Sequence, residues 1–183
     1  MKSTRASILS FCLILASCLA SATTIIPLSV EELADKSTNI FRGNAVETWT
    51  AWNQQHTLIY TYTKFEVTKS LKGQAQQVVT VKQLGGQVGI TVQKVAGVRH
   101  FTPGEQDLLF LQPSKDNDGT FIVTGLMQGN FLVHRSASGQ MLVSNGVPEV
   151  SRLEVNSGVI SRYRGSAMTV DQLESRIRKA VQQ

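Results

Sequence analysis

Three histidines, His56, His100 and His134, are the side chains of this 183-residue sequence best suited to proton transfer or metal ligation near neutral pH. Each stands alone, with no cysteine, carboxylate or second histidine at zinc-ligand spacing beside it. No Gly-x-Ser-x-Gly elbow, HExxH helix, Walker loop or cysteine nucleophile occurs either. Gly85, Gly86 and Gly89 resemble a phosphate cradle only in composition, because a β-type run follows them where a helix N-terminus is required. Setting Gly119 at the glycine position of a calcium loop puts Ser114, Asp116 and Asp118 at ligand positions, but the bidentate glutamate position then falls on Gly125. Glu31, Glu32 and Asp35 have helix capping and solvation as their role. The sequence therefore names no catalytic residue, no metal and no cofactor. A non-enzymatic binding module is the leading expectation, and an envelope hydrolase with a dispersed active site is the alternative.

One constellation remains: Trp49, Trp52, His56, Tyr60 and Tyr62. The tryptophans lie three apart in what reads as a polar connection, where neither strand alternation nor a helix gives a reason to bury both. Period-two alternation sets Tyr60 and Tyr62 on the face opposite Thr61, Thr63, Phe65 and Val67. If Phe65 and Val67 point inward, the tyrosines extend an exposed aromatic patch suited to a protein or glycan partner. If the strand is sandwiched, they pack under a helix instead.

The elements that must hold this patch are β-rich. The run from Ile40 to Gly73 reads as two long strands, Ile40 to Trp49 and Leu58 onward, the first bent at Gly43. Further strands are expected at Val78–Leu84, Val88–Val95, Asp107–Gln112, Thr120–Thr124, Asn130–Arg135 and Gln140–Ser144, with an added one in part of Glu149–Val155 or Val159–Tyr163. Lys115 to Gly119 makes a turn, and the unbroken DLLFLQ implies a strand buried on both faces. Ser29 with Glu32, and Thr169 with Gln172, are capping boxes that open a short N-terminal helix, placed over one opening of the β-structure, and a C-terminal helix over residues 169–182. The fold class is all-β: a partly open, OB-like barrel of six to eight strands with a helix at each end, a two-sheet sandwich being the runner-up.

Lys2, Arg5 and the apolar run Ile8–Leu19 read as a signal peptide, with cleavage after Ala22 and one domain over residues 23–183. Leu15-Ala16-Ser17-Cys18 offers the competing reading of a lipobox with lipidation at Cys18. Both cysteines, Cys12 and Cys18, fall in the signal, so a fold of about 160 residues must stand without disulfides. Losing Lys2 and Arg5 lowers the net charge from +5 to +3, a mild excess without the clustered cations of a nucleic-acid site. The expected product is periplasmic or secreted and monomeric, touching membrane only through the transient signal or a lipid on Cys18.

The segments ADKSTNIFRGNAVE, YTYTKFEVTKSLKG, FTPGEQDLLFL and GLMQGNFLV resemble a group of uncharacterised exported bacterial proteins. The hairpin ending in Leu71-Lys72-Gly73, followed by a Pro-Gly strand, is similar to netrin-like domains, which include the tissue inhibitors of metalloproteinases. The resemblance spans Ile40 to Gln112 and implies a five-stranded oligonucleotide-binding-type barrel with flanking helices. It also implies a protease-inhibitor-like module as a further alternative. Inhibition in that family requires an N-terminal cysteine that chelates the protease zinc, whereas this chain would begin at Thr23 or at a lipid-blocked Cys18, and the family's disulfides are absent.

Overall fold

The computed structural model describes residues 27–145, 151–153, 160–162 and 168–182. The chain enters through α1 (Val30–Lys36), capped by Ser29, whose hydroxyl accepts the Glu32 N–H while the Glu32 carboxylate accepts the Ser29 N–H. Two 14-residue strands follow, β1 (Asn39–Trp52) and β2 (Ile59–Lys72), paired antiparallel. β2 opens with an unbroken β-branched and aromatic run, Ile59 to Thr63, which favours the extended ladder. Then come β3 (Val78–Leu84), the short hairpin β4 (Gly86–Val88) and β5 (Thr91–Gln93), β6 (Gln106–Pro113) and β7 (Phe121–Val123). A 3-10 turn (Leu126–Gly129) leads into β8 (Asn130–Arg135) and β9 (Met141–Asn145). β10 (Ser151–Leu153) and β11 (Ile160–Arg162) pair as a separate hairpin, and β12 (Met168–Thr169) leads into α2 (Val170–Val181).

The main sheet runs β1-β2-β3-β7-β6-β8-β9-β12, and β1 also pairs with β6, so five strands close a ring in the order β1-β2-β3-β7-β6. The closure depends on the bend of β1, whose register against β2 shifts at Ile40/Phe41, Arg42/Gly43 and Ala45/Glu47. Gly43 sits at the second shift, and its missing side chain lets the strands approach: a Cβ there would lie 2.6 Å from the Glu66 carbonyl oxygen. At the opposite side the ring is held loosely, because the parallel pair β3–β7 meets at the single bridge Val81↔Phe121. The result is the expected class, mainly β with a helix near each end of the described chain, and the strands that close the ring number five where six to eight were expected of a barrel.

Alternation divides the apolar residues into two cores. Phe41, Ala45, Phe65, Val79, Val81, Phe101, Leu109 and Leu111 fill the ring. Ile40, Leu108 and Phe110 lie on the other face of β1 and β6 and, with Phe131 and Val133 of β8 and Val143 of β9, beneath α1 and α2. β6 is thus buried on both faces from Asp107 to Leu111, as its apolar run implies.

Three expectations need correction. The single strand Val88–Val95 is instead the β4–β5 hairpin, because Gly89 adopts φ +59° and turns the chain at a fully exposed Ile90. The N-terminal helix α1 does not plug an opening of the ring but, together with α2, covers its outer side, where the unbroken β6 offers a second apolar face. Trp49 and Trp52 are not in a connection: β1 continues to Trp52, because cross-strand pairing with Ile59–Tyr62 extends the ladder past the polar residues. The signal, Cys18 and the cleavage position after Ala22 lie outside the described residues.

Candidate functional site: the outer face of β2 and β3

The outer face of the ring between β1 and β3 is built by register. Phe65, Thr63 and Thr61 point into the ring, so Tyr60, Tyr62 and Lys64 point out. Trp49 lies directly opposite Tyr62 and therefore on the same face; the two rings stack at 5.4 Å with 10° between their planes. Trp49 nevertheless stays 38% exposed. Tyr60 adjoins Tyr62 at 6.4 Å between centroids. Lys64 reaches to 5.8 Å over the Trp49 ring while pairing with Glu47.

Lys82, the cross-strand neighbour of Tyr62 on β3, completes the face. It is only 6% exposed, with its ammonium 4.4 Å from the Tyr60 centroid and in ion pairs with Asp116 and Asp118 of the β6–β7 turn. Burial opposes the charged ammonium, but the hydrogen bonds to Asp116 and Asp118 outweigh it and raise the lysine above its ordinary range. Asp118 is partly buried, which opposes its charge, yet hydrogen bonds from Thr120 and Lys82 hold it down to about 2. Lys82 is accordingly a fixed cation that organises the tyrosines and the turn.

Beside Lys82 the loosely held ring opens into a cavity of about 220 Å³, lined by Tyr60, Lys82, Gln83, Leu84, Val98, Ile122, Val123 and Leu126. Tyr60 belongs both to this wall and to the aromatic face, so the two features are continuous. Leu126 stands at its rim, 55% exposed and with φ +59°. Inside the wall, the Gln83 side-chain N–H donates to the Arg99 carbonyl, while its buried Oε1 has no hydrogen-bond partner.

Of the five residues singled out in the sequence, Trp49, Tyr60 and Tyr62 come together. Trp52 pairs with Ile59, three residues along both strands from Trp49, and so belongs to the other face, where it stacks on His56 at 6.2 Å. Those two therefore leave the patch. Among the other histidines, His100 sits with Nε2 3.1 Å from the Leu84 carbonyl, and His134 is exposed on β8. No group of three His, Cys, Asp or Glu able to hold a metal ion occurs among the described residues.

Lys82 and the two aspartates were absent from the sequence-based site. A signal existed, since Lys82 is the one charged residue of the valine-rich strand VVTVKQL and alternation sets it on the face opposite Val79 and Val81. What alternation does not supply is the β6–β7 turn reaching across to it. The chain matches no family model and no curated protein.

Proposed function

We propose that this chain is an exported, non-enzymatic binding module of the cell envelope or secreted fraction, and that it holds a protein or glycan partner on the outer face of β2 and β3. The observation that carries the reading is Trp49, which remains more than a third exposed although a rigid strand pair stacks it on Tyr62. A large aromatic fixed in this way gives contact area at small cost in side-chain entropy. The cations around it are already paired, Lys64 with Glu47 and Lys82 with Asp116 and Asp118, which disfavours a polyanion as the partner.

The test compares wild-type mature protein with Trp49→Ala on a glycan array and in capture from an envelope extract, with thermal unfolding as the check on folding. Trp49→Ala is expected to fold and to lose partners that the wild type retains. A folded variant that keeps every partner overturns the reading, as does turnover of peptide, ester or glycan substrates that depends on His56, His100 or His134. Mass spectrometry of the mature chain tests the export route: Thr23 at the N-terminus fits signal cleavage after Ala22, and a lipidated Cys18 fits an anchored form.

A further inference from the structure

The seam between β3 and β7 has a ladder of one bridge with a cavity beside it. The Gly85 N–H donates to the Ile59 carbonyl at 2.7 Å, which fixes the phase of the β2–β3 ladder. Residues of the same parity, Gln83 and Val81, then turn their main-chain groups toward β2, and Lys82 and Leu84 turn theirs toward the seam. The Leu84 carbonyl conforms, meeting His100 Nε2 on that side. Since β7 bridges β3 only at Val81, the Lys82 carbonyl and the Leu84 N–H lie beyond the last bridge. The adjoining cavity of about 220 Å³ exceeds the roughly 150 Å³ that accommodates one benzene ring, and so has room for one leucine or phenylalanine side chain.

Charge and hydrogen-bond capacity then select the occupant. Lys82, the charged residue of the cavity lining, is already paired with both Asp116 and Asp118, so the wall offers no free cation to a phosphate, a polyanion or a free carboxylate. The unpartnered Gln83 Oε1 calls for an N–H or O–H donor at an otherwise apolar wall. We propose that the seam takes an uncharged, extended peptide segment, which adds as a short strand along Lys82–Leu84 and seats one apolar side chain in the cavity. Such strand addition draws its affinity from main-chain hydrogen bonds and its selectivity from the side-chain slot. The proposal rests on the reading of this face as a binding surface and adds the partner's class.

The probe is a fluorescent, acetylated and amidated hexapeptide of alternating threonine and valine with a central leucine. Two further versions are N-methylated at the odd or at the even residues. The plain peptide is expected to bind, and one methylated version to bind about tenfold more weakly, because it has lost the donors that face β3. Ile122→Trp, which fills the slot, and Leu126→Gly, which removes its rim at a φ that glycine accepts freely, are each expected to weaken binding about tenfold without lowering the thermal midpoint. The proposal is overturned if the peptide does not bind, if all three versions bind alike, or if folded Ile122→Trp and Leu126→Gly both bind as wild type does. In any of those cases, capture that still depends on Trp49 leaves the binding-module reading standing.

Discussion

Asp107 is completely enclosed at one end of the ring, where its Oδ1 meets Arg99 at 3.3 Å and its Oδ2 has no partner. Arg99 gives its closer contact, 2.6 Å, to Glu105. Burial is the main cause that pushes the Asp107 carboxyl up to about 7; Arg99 opposes the shift, and the neighbouring Glu105 charge adds to it. Because the folded-state value lies above the ordinary 3.8, the protonated carboxyl contributes stability that is fully present below about pH 4 and is lost as pH rises through 7. The shift corresponds to a contribution on the order of 4 kcal/mol. Asp107→Asn is therefore expected to gain stability relative to wild type between pH 5 and pH 8, read as the difference in urea midpoints at the two values. A difference that does not change with pH would show that Asp107 is ionised throughout. Nothing in DLLFLQ distinguishes this aspartate from a solvated strand end, since burial of its side chain requires Arg99 and Phe101 to fold over the ring. The outward Tyr60 and Tyr62, by contrast, were legible once Phe65 was placed in the core.

Both long strands, both capping boxes and the buried β6 were readable because each follows from residues that are neighbours in sequence. The α2 helix from Val170 to Val181 needs only Thr169, Gln172 and the stripe Val170, Leu173 and Ile177. Buried Glu174 was not readable, because the cations that receive it are Arg42 on β1 and Lys69 on β2 as well as Arg178 on its own helix. The β4–β5 hairpin was misread because Val88, Ile90 and Val92 alternate as strand residues do, and only Gly89 in the left-handed region breaks the run. Gly43 is the opposite case, a glycine whose meaning as a bend was visible but whose cause was not. Its φ is not in the left-handed region; what excludes a side chain is the Glu66 carbonyl at 2.6 Å and the Phe41 ring at 2.9 Å from the Cβ position. Gly43→Ala is expected to destabilise the protein by about 2 kcal/mol in urea unfolding, through forced separation of β1 from β2. Gly89→Asn, with no atom within 4 Å of the added Cβ and a residue type that tolerates a positive φ, should stay within about 0.5 kcal/mol of wild type. Equal effects would mean that close approach at Gly43 does not limit the strand pair.

At the scale of the molecule, the ring and the helical layer share β1 and β6. Leu108 and Leu109 are successive residues of β6, both fully buried, one beneath the helices and the other inside the ring. This sharing was hidden in the sequence, because the pairing of β1 with β6 joins Asn39–Asn44 to Gln106–Leu111 and no local period records it. It has a thermodynamic consequence: neither core can lose its packing without exposing the other face of the same two strands. The described fold should therefore unfold as one unit. Leu108→Ala and Leu109→Ala are each expected to cost about 3 kcal/mol, from lost burial and the cavity left behind. Each should lower the urea midpoint equally whether it is read by far-ultraviolet circular dichroism at 222 nm, to which α1 and α2 contribute, or by tryptophan fluorescence, which reports the far end of the β1–β2 hairpin through Trp49 and Trp52. A Leu108→Ala variant that loses helical signal while the tryptophans stay native-like would separate the two cores. The helices would then be an independently melting cover, and the proposed binding face of β2 and β3 would survive their loss.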